Sequence, residues 1–121
     1  MGYTTEFKGT FTTNKKIPAT LVKKLREFSD ERHGGDTQPF AGYPGFWCDW
    51  VPTPDAKGIQ WNGSEKFYNY ETWLQLIMDR FLTPAGITLT GTVRYRGEDF
   101  DDIGTLTIEG GQVKKRPYGG V

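Results

Sequence analysis

Ten of the chain's 18 aromatic residues fall in the 34 positions from Phe40 to Trp73, and all four tryptophans, Trp47, Trp50, Trp61 and Trp73, are among them. Aromatic side chains bury more area than any others, so a chain with this block must build much of its core from it. The same residue types also stack bases, sugars or a partner's side chains. How the block divides between core and surface therefore decides both the fold and the place where a ligand would sit.

At 121 residues the chain is one domain by length. A domain near this size buries roughly two thirds of its unfolded surface, enough for one core without staples. Fifteen basic and fifteen acidic residues cancel. Duplex nucleic acid is therefore not expected as a partner, because counterion-release binding needs a basic field. The charge is uneven, however. Residues 1–35 carry seven bases against four acids, residues 97–109 carry five acids and no base, and Lys114, Lys115 and Arg116 follow. Such polarity can orient an encounter or support a head-to-tail homo-oligomer. The plainer reading is a solvated mixed surface.

Cys48 is the only cysteine, which leaves no disulfide framework and no multi-cysteine metal site within one chain. Between two tryptophans it reads as a small buried hydrophobe. The opening residues lack an apolar signal core, and no apolar run approaches the ~20 residues of a membrane span. The expectation is a cytoplasmic protein with no membrane contact, and no motif requires a cofactor or resident metal.

Tyr3 to Phe11 alternates strictly, as a half-buried strand does. Leu21, Leu25 and Phe28 recur at helical spacing after Pro18, and Gly34-Gly35 should stop that helix near His33. Phe46–Val51 and Ile59–Asn62 read as a strand pair around a Pro-rich turn. Tyr70, Trp73, Leu74, Ile77 and Phe81 predict a second helix, with Asn69 as N-cap and Pro84 and Gly86 closing it. Ile87 to Arg96 alternates as a long strand, Leu106 and Ile108 continue the pattern, and Gly110-Gly111 signals a hairpin into a last strand. The order β-α-β-β-α-β-β-β predicts an α+β two-layer sandwich. Two helices would pack on one face of a mostly antiparallel sheet, in a single domain over 1–116 with a flexible tail at 117–121.

Alternation also assigns faces. Phe46, Cys48 and Trp50 form an apolar set that should face the helices, which sends Trp47 and Asp49 outward. Ile59, Trp61 and Trp73 join the core, so Trp47 is the one tryptophan without a structural role. Thr88, Thr90, Thr92, Arg94 and Arg96 share the open face with Thr105, Thr107 and Glu109, and with Thr4, Glu6, Lys8 and Thr10. Threonine outward on a strand is first of all good strand chemistry. Functionally, Arg94 and Arg96 suit phosphate or carboxylate, and Trp47 offers a stacking face. Strand order, and hence whether Trp47 and Arg94 are neighbours, is open.

The segment from Trp61 to Trp73 leads a turn into a helix N-terminus, an end that attracts anions, with Lys66 and Tyr68 beside it. Its plainer role is packing, with Phe67, Tyr68 and Tyr70 pinning the loop to the helix. The acidic loop supplies Glu98, Asp99, Asp101 and Asp102. Four carboxylates in five residues could bind calcium or magnesium, although their spacing is not that of an EF-hand; the other readings are a plain surface loop and a docking element for a basic partner or for the chain's own basic tail. His33 is the only histidine. It is placed where a helix dipole favours a cation, and a Cys48–His33 dyad is conceivable. No phosphate-binding loop, nucleophile elbow, zinc-protease or dinucleotide fingerprint is present.

Several of these segments carry a resemblance. They are Gly2-Tyr-Thr-Thr-Glu-Phe-Lys-Gly9, Gln38-Pro-Phe40, Pro44-Gly-Phe-Trp-Cys-Asp-Trp-Val-Pro52, Trp61-Asn-Gly-Ser-Glu-Lys-Phe-Tyr-Asn-Tyr70 and Tyr95-Arg-Gly-Glu-Asp-Phe-Asp-Asp-Ile-Gly104. Together they resemble a family of small uncharacterised proteins found mainly in bacteriophage and prophage genomes. Members of that family often carry a longer insertion before the Trp-Cys segment, which is short here. The resemblance implies a phage accessory protein acting in the bacterial cytoplasm, and it transfers no site residues because the family has no assigned activity.

The expected function is non-enzymatic binding of a host protein or a small nucleotide-like ligand, with modulation of host defence as a candidate role. Ligand contacts are assigned to Trp47, Lys66, Tyr68, Arg94 and Arg96, and partner docking to Glu98, Asp99, Asp101 and Asp102. A deep pocket would favour the nucleotide and a flat face a protein. The alternatives are a small enzyme acting on a nucleotide or carbohydrate through the acidic loop, and a structural or assembly protein of the phage.

Overall fold

Both long alternating segments form strands, and both break at a glycine. A computed structural model describes residues 3–118. Tyr3–Phe11 becomes β1 (Glu6–Lys8) and β2 (Phe11–Thr13), and Ile87–Arg96 becomes β5 (Leu89–Thr90) and β6 (Thr92–Arg96). Lys8 pairs with Arg94 and Thr12 with Thr90, at the same offset on both sides of the break. The four strands are thus one antiparallel ribbon with a bend in it.

The bend needs its glycines. Gly9 has φ +111° and Gly91 φ +119°, values that L side chains rarely adopt. A Cβ on Gly9 would lie 3.4 Å from the Thr92 carbonyl oxygen, and one on Gly91 3.5 Å from that of Thr10. Each glycine therefore sits against the other strand's turning point.

Below the bend, β1 and β6 join β7 (Ile103–Glu109) and β8 (Gln112–Pro117) in the order β1-β6-β7-β8. Above it, β2 and β5 join β3 (Trp50–Pro52) and β4 (Gly58–Trp61) in the order β3-β4-β2-β5. All pairings are antiparallel. The α+β class holds. The expected single sheet is two four-stranded sheets, and the expected element order gains two strands because the bend splits two.

Helix α1 (Ala19–Asp30) packs on β3 and helix α2 (Tyr70–Ile77) on β8. Leu25 buries the apolar stripe of α1, and Tyr70, Trp73, Leu74 and Ile77 that of α2. α2 then runs through a π-helical turn (Met78–Leu82) and a 3₁₀ turn (Thr83–Ala85), and Gly86 at φ 73° ends it. Asn69 precedes α2 in a left-handed conformation and does not cap it with its side chain. Its amide donates instead to the Pro44 carbonyl oxygen (2.6 Å).

Trp50 is the hub of the core. It packs edge-on against Phe7 (5.2 Å between ring centres), Phe67 (5.3 Å) and Phe11 (5.8 Å), and its indole N–H donates to the Tyr70 carbonyl oxygen (2.8 Å). The face assignment holds for Cys48, Trp50, Ile59 and Trp73, which are buried, and Trp61 is half-buried. It also holds for Trp47, which is exposed, but fails at Phe46, which is partly exposed, and at Asp49, which is buried. Strand pairing begins only at Trp50, so the two-residue period has no sheet to enforce it upstream. The tail also differs from expectation. Pro117 ends β8, and the Tyr118 amide donates to the Ile103 carbonyl oxygen (2.8 Å), while residues 119–121 lie outside the described ones. No helix among the described residues is long and apolar enough to cross a membrane.

Candidate functional site

Three of the five expected ligand contacts converge. Trp47, Lys66 and Tyr68 line one cavity of about 450 Å³, walled by Pro39, Pro44 and Phe46, with the fully buried Trp73 at its base. That volume lies within the usual range for small-ligand sites, roughly 300–1,000 Å³.

One wall is the Gly- and Pro-rich loop after α1, which is held tightly. The His33 amide donates to the Phe46 carbonyl oxygen (2.7 Å), the Phe40 amide to that of His33 (2.9 Å), and the Arg32 guanidinium lies 4.5 Å over the Phe46 ring. The facing wall is the turn before α2. There Lys66 has φ +60°, Phe67 is driven into the core, and Tyr68 is left half-exposed. The Tyr68 hydroxyl accepts a hydrogen bond from the Tyr3 amide (3.1 Å), which fixes its ring. Trp47 is 45% exposed, the most exposed of the four tryptophans.

Trp73 adds a feature that no sequence pattern signals. Its indole N–H is buried and has no acceptor. A buried donor left without a partner costs about 1–3 kcal/mol. It faces Gly45 in the cavity wall, where an added Cβ would lie 3.3 Å from Nε1. The other unpartnered buried group, the Thr13 hydroxyl, belongs to β2 and does not line this cavity.

Trp47 and Lys66 also border a second, polar hollow of about 380 Å³, with Ser29, Asp30, Asp49, Asn62 and Glu65. Burial pushes the Asp49 carboxyl above the ordinary carboxylate range, and the Asn62 amide 3.5 Å away partly offsets this. The two hollows meet at Trp47 and Lys66. The result is a groove with an apolar, ring-lined end and a polar, mostly acidic end.

The other expected residues lie elsewhere. Arg94 and Arg96 are exposed on the β1-β6-β7-β8 sheet and border a separate hollow, so the five-residue ligand set divides in two. In the acidic loop, Asp102 accepts from the Tyr3 hydroxyl (2.6 Å), Glu98 accepts from the Thr4 amide, and the Asp99 amide donates to the Tyr3 hydroxyl (3.1 Å). Glu98 and Asp102 thus fasten Tyr3 and Thr4, the segment that leads into β1. Asp99 and Asp101 remain exposed beside Phe100. The chain's basic tail does not meet this loop, because Arg116 pairs with Glu109 and Lys115 with Glu71. Among the described residues, no three of His, Cys, Asp and Glu converge as metal ligands.

The Cys48–His33 dyad has no support in the fold. Burial pushes the Cys48 thiol up to about 12, so a thiolate is strongly disfavoured. His33 is a core residue whose Nε2 lies 2.9 Å from the Phe28 carbonyl oxygen and whose ring stacks on Tyr43 (4.7 Å).

Pro39, Pro44, Phe46, Asp49 and Trp73 were not among the expected contacts. Their signal is long-range: the loop reaches the α2 turn only after folding. Comparison with protein-family models, curated proteins and solved structures gives no match for this chain.

Proposed function

We propose that the chain is a non-enzymatic binding protein whose groove takes a small molecule with a planar, hydrogen-bonding ring of the nucleobase kind. The observation that carries this is the unpartnered, buried Trp73 N–H at the base of a cavity lined by the exposed rings of Trp47 and Tyr68. A ring stacked there gains aromatic contact area, and an acceptor on it would satisfy the indole once the Gly45 backbone that covers Nε1 moves aside. Lys66 supplies one cation for an anionic group. Asp30, Asp49 and Glu65 at the polar end favour a ligand with amino donors and disfavour several phosphates in a row. Concavity favours this small ligand over a host protein. The motif resemblance to phage and prophage proteins supports placing the role in an infected bacterial cytoplasm, with sequestration of a host signal as the simplest consequence.

Titration of intrinsic tryptophan fluorescence with nucleosides, nucleoside monophosphates and cyclic dinucleotides tests the reading, because Trp47 and Trp73 are its reporters. Saturable binding should weaken at least tenfold in Trp47→Ala. Trp73→Phe should lose roughly 5–30-fold, the worth of one buried hydrogen bond. Absence of saturable binding up to millimolar ligand, or binding unchanged in both variants, overturns it.

A further inference from the structure

We propose that the exposed face of the β1-β6-β7-β8 sheet docks single-stranded nucleic acid, a role separate from the groove. Strand register lays out the face in rows. Lys8, Arg94, Thr105 and Arg116 form one row across all four strands. Glu6, Arg96 and Ile103 form the next, and Thr92, Thr107 and Lys114 a third. Like charges directly opposite each other destabilise a sheet, yet Lys8 stands opposite Arg94. Arg116 is neutralised by a two-pronged pairing with Glu109 (2.5 and 2.9 Å). Among the described residues, no carboxylate lies within ion-pair reach of Lys8, Arg94, Arg96 or Lys114. Four cations thus share one face with a single unengaged acid, Glu6.

The charge complementarity points to a flexible chain of phosphates. Cations two residues apart on a strand stand roughly 6.6–6.8 Å apart, and neighbouring strands about 4.8 Å apart, so a bent backbone can meet several of them. Guanidinium groups suit phosphate bidentately. Beside Arg94 and Arg96 is a shallow hollow of about 210 Å³, bordered by Ile103 and Tyr118. Tyr118 is 47% exposed, and its backbone is tied to Ile103. An aromatic ring next to unpaired cations is the pairing that holds single strands, where bases stack and phosphates are neutralised. An acidic peptide would satisfy the cations but leave the ring unused. A membrane surface would want an apolar wedge, and this face offers only Ile103 and Tyr118. Four free cations on a chain of zero net charge are too few for a rigid duplex.

The test is fluorescence anisotropy of the full chain with labelled 12-nucleotide mixed-sequence DNA and RNA at 25, 50 and 150 mM salt. Binding should weaken with salt at a log–log slope of about −3, from roughly 0.7 per neutralised phosphate. Arg94→Ala/Arg96→Ala should weaken binding at 25 mM at least tenfold and roughly halve the slope. Tyr118→Ala should lose about tenfold, and Tyr118→Phe should keep the affinity. Lys8→Gln gives a second, milder loss, with near-UV circular dichroism showing the variants folded. Tyr68→Ala, in the groove, should leave oligonucleotide binding unchanged. No binding at 25 mM salt, equal binding by the arginine variant, or loss only in Tyr68→Ala overturns the proposal. So does equal or tighter binding of polyglutamate or of phosphatidylserine-containing vesicles.

Discussion

Asp49 is a carboxyl held where water is scarce, and its charge is poorly compensated. Burial raises its folded pKa above the unfolded one, so the sign is set. At low pH the group is neutral in both states and costs nothing. As pH rises through the folded value, the buried charge subtracts from stability. Asp49→Asn should therefore stabilise the protein at pH 7 by on the order of 1 kcal/mol, with the gain shrinking toward pH 4.5. Urea unfolding at the two pH values reads this directly, and an equal gain at both would mean that charge is not the cause. Glu109 has the opposite sign. Arg116 holds its carboxyl below the usual range, so its contribution fades as pH falls. The sequence sends Asp49 outward by alternation. The polypeptide is not a strand there, so the rule had nothing to act on.

At the scale of elements, the bend is carried by two glycines that face each other's strand. Gly9→Ala and Gly91→Ala should each cost about 1–2 kcal/mol, because both force a side chain into a positive φ. The double variant should cost clearly less than their sum, since either one already breaks the same bend. Thermal unfolding of the three variants gives the cycle, and full additivity would mean that the two sites act independently. Alternation survives the bend, with Phe7 and Phe11 both inward, which is why the sequence reads as one unbroken strand.

A second element, β8, is an edge strand, and its free side is guarded. Gln75 accepts from the Val113 amide (2.8 Å) and donates to the Gly111 carbonyl oxygen (3.0 Å), and Pro117 has no amide to offer. Gln75→Ala should cost about 1–3 kcal/mol and speed hydrogen exchange at Val113. Exchange unchanged at Val113 would show that the edge is held by something else.

Over the whole molecule, one aromatic cluster joins both sheets to the start of α2. Trp50 touches Phe7 of β1, Phe11 of β2 and the Phe67 turn, and bonds to the first residue of α2. Trp50→Ala should cost about 3–5 kcal/mol. It should lower near-UV and far-UV circular dichroism transitions together, because neither sheet has a core of its own. Separate transitions would show that the two sheets unfold independently. The sequence by itself determined the α+β class, the helix positions, and the burial of Trp50 and Trp73. Each of these follows from a local period of two or 3.6 residues, and from apolar area that has to leave water. Only the tertiary structure decided the bend into two sheets, the parting of Trp47 from Arg94, the row that sets Lys8 against Arg94, and the orphaned Trp73 N–H. Those depend on register and on which distant groups arrive as partners, and a repeat along the chain carries no information about either.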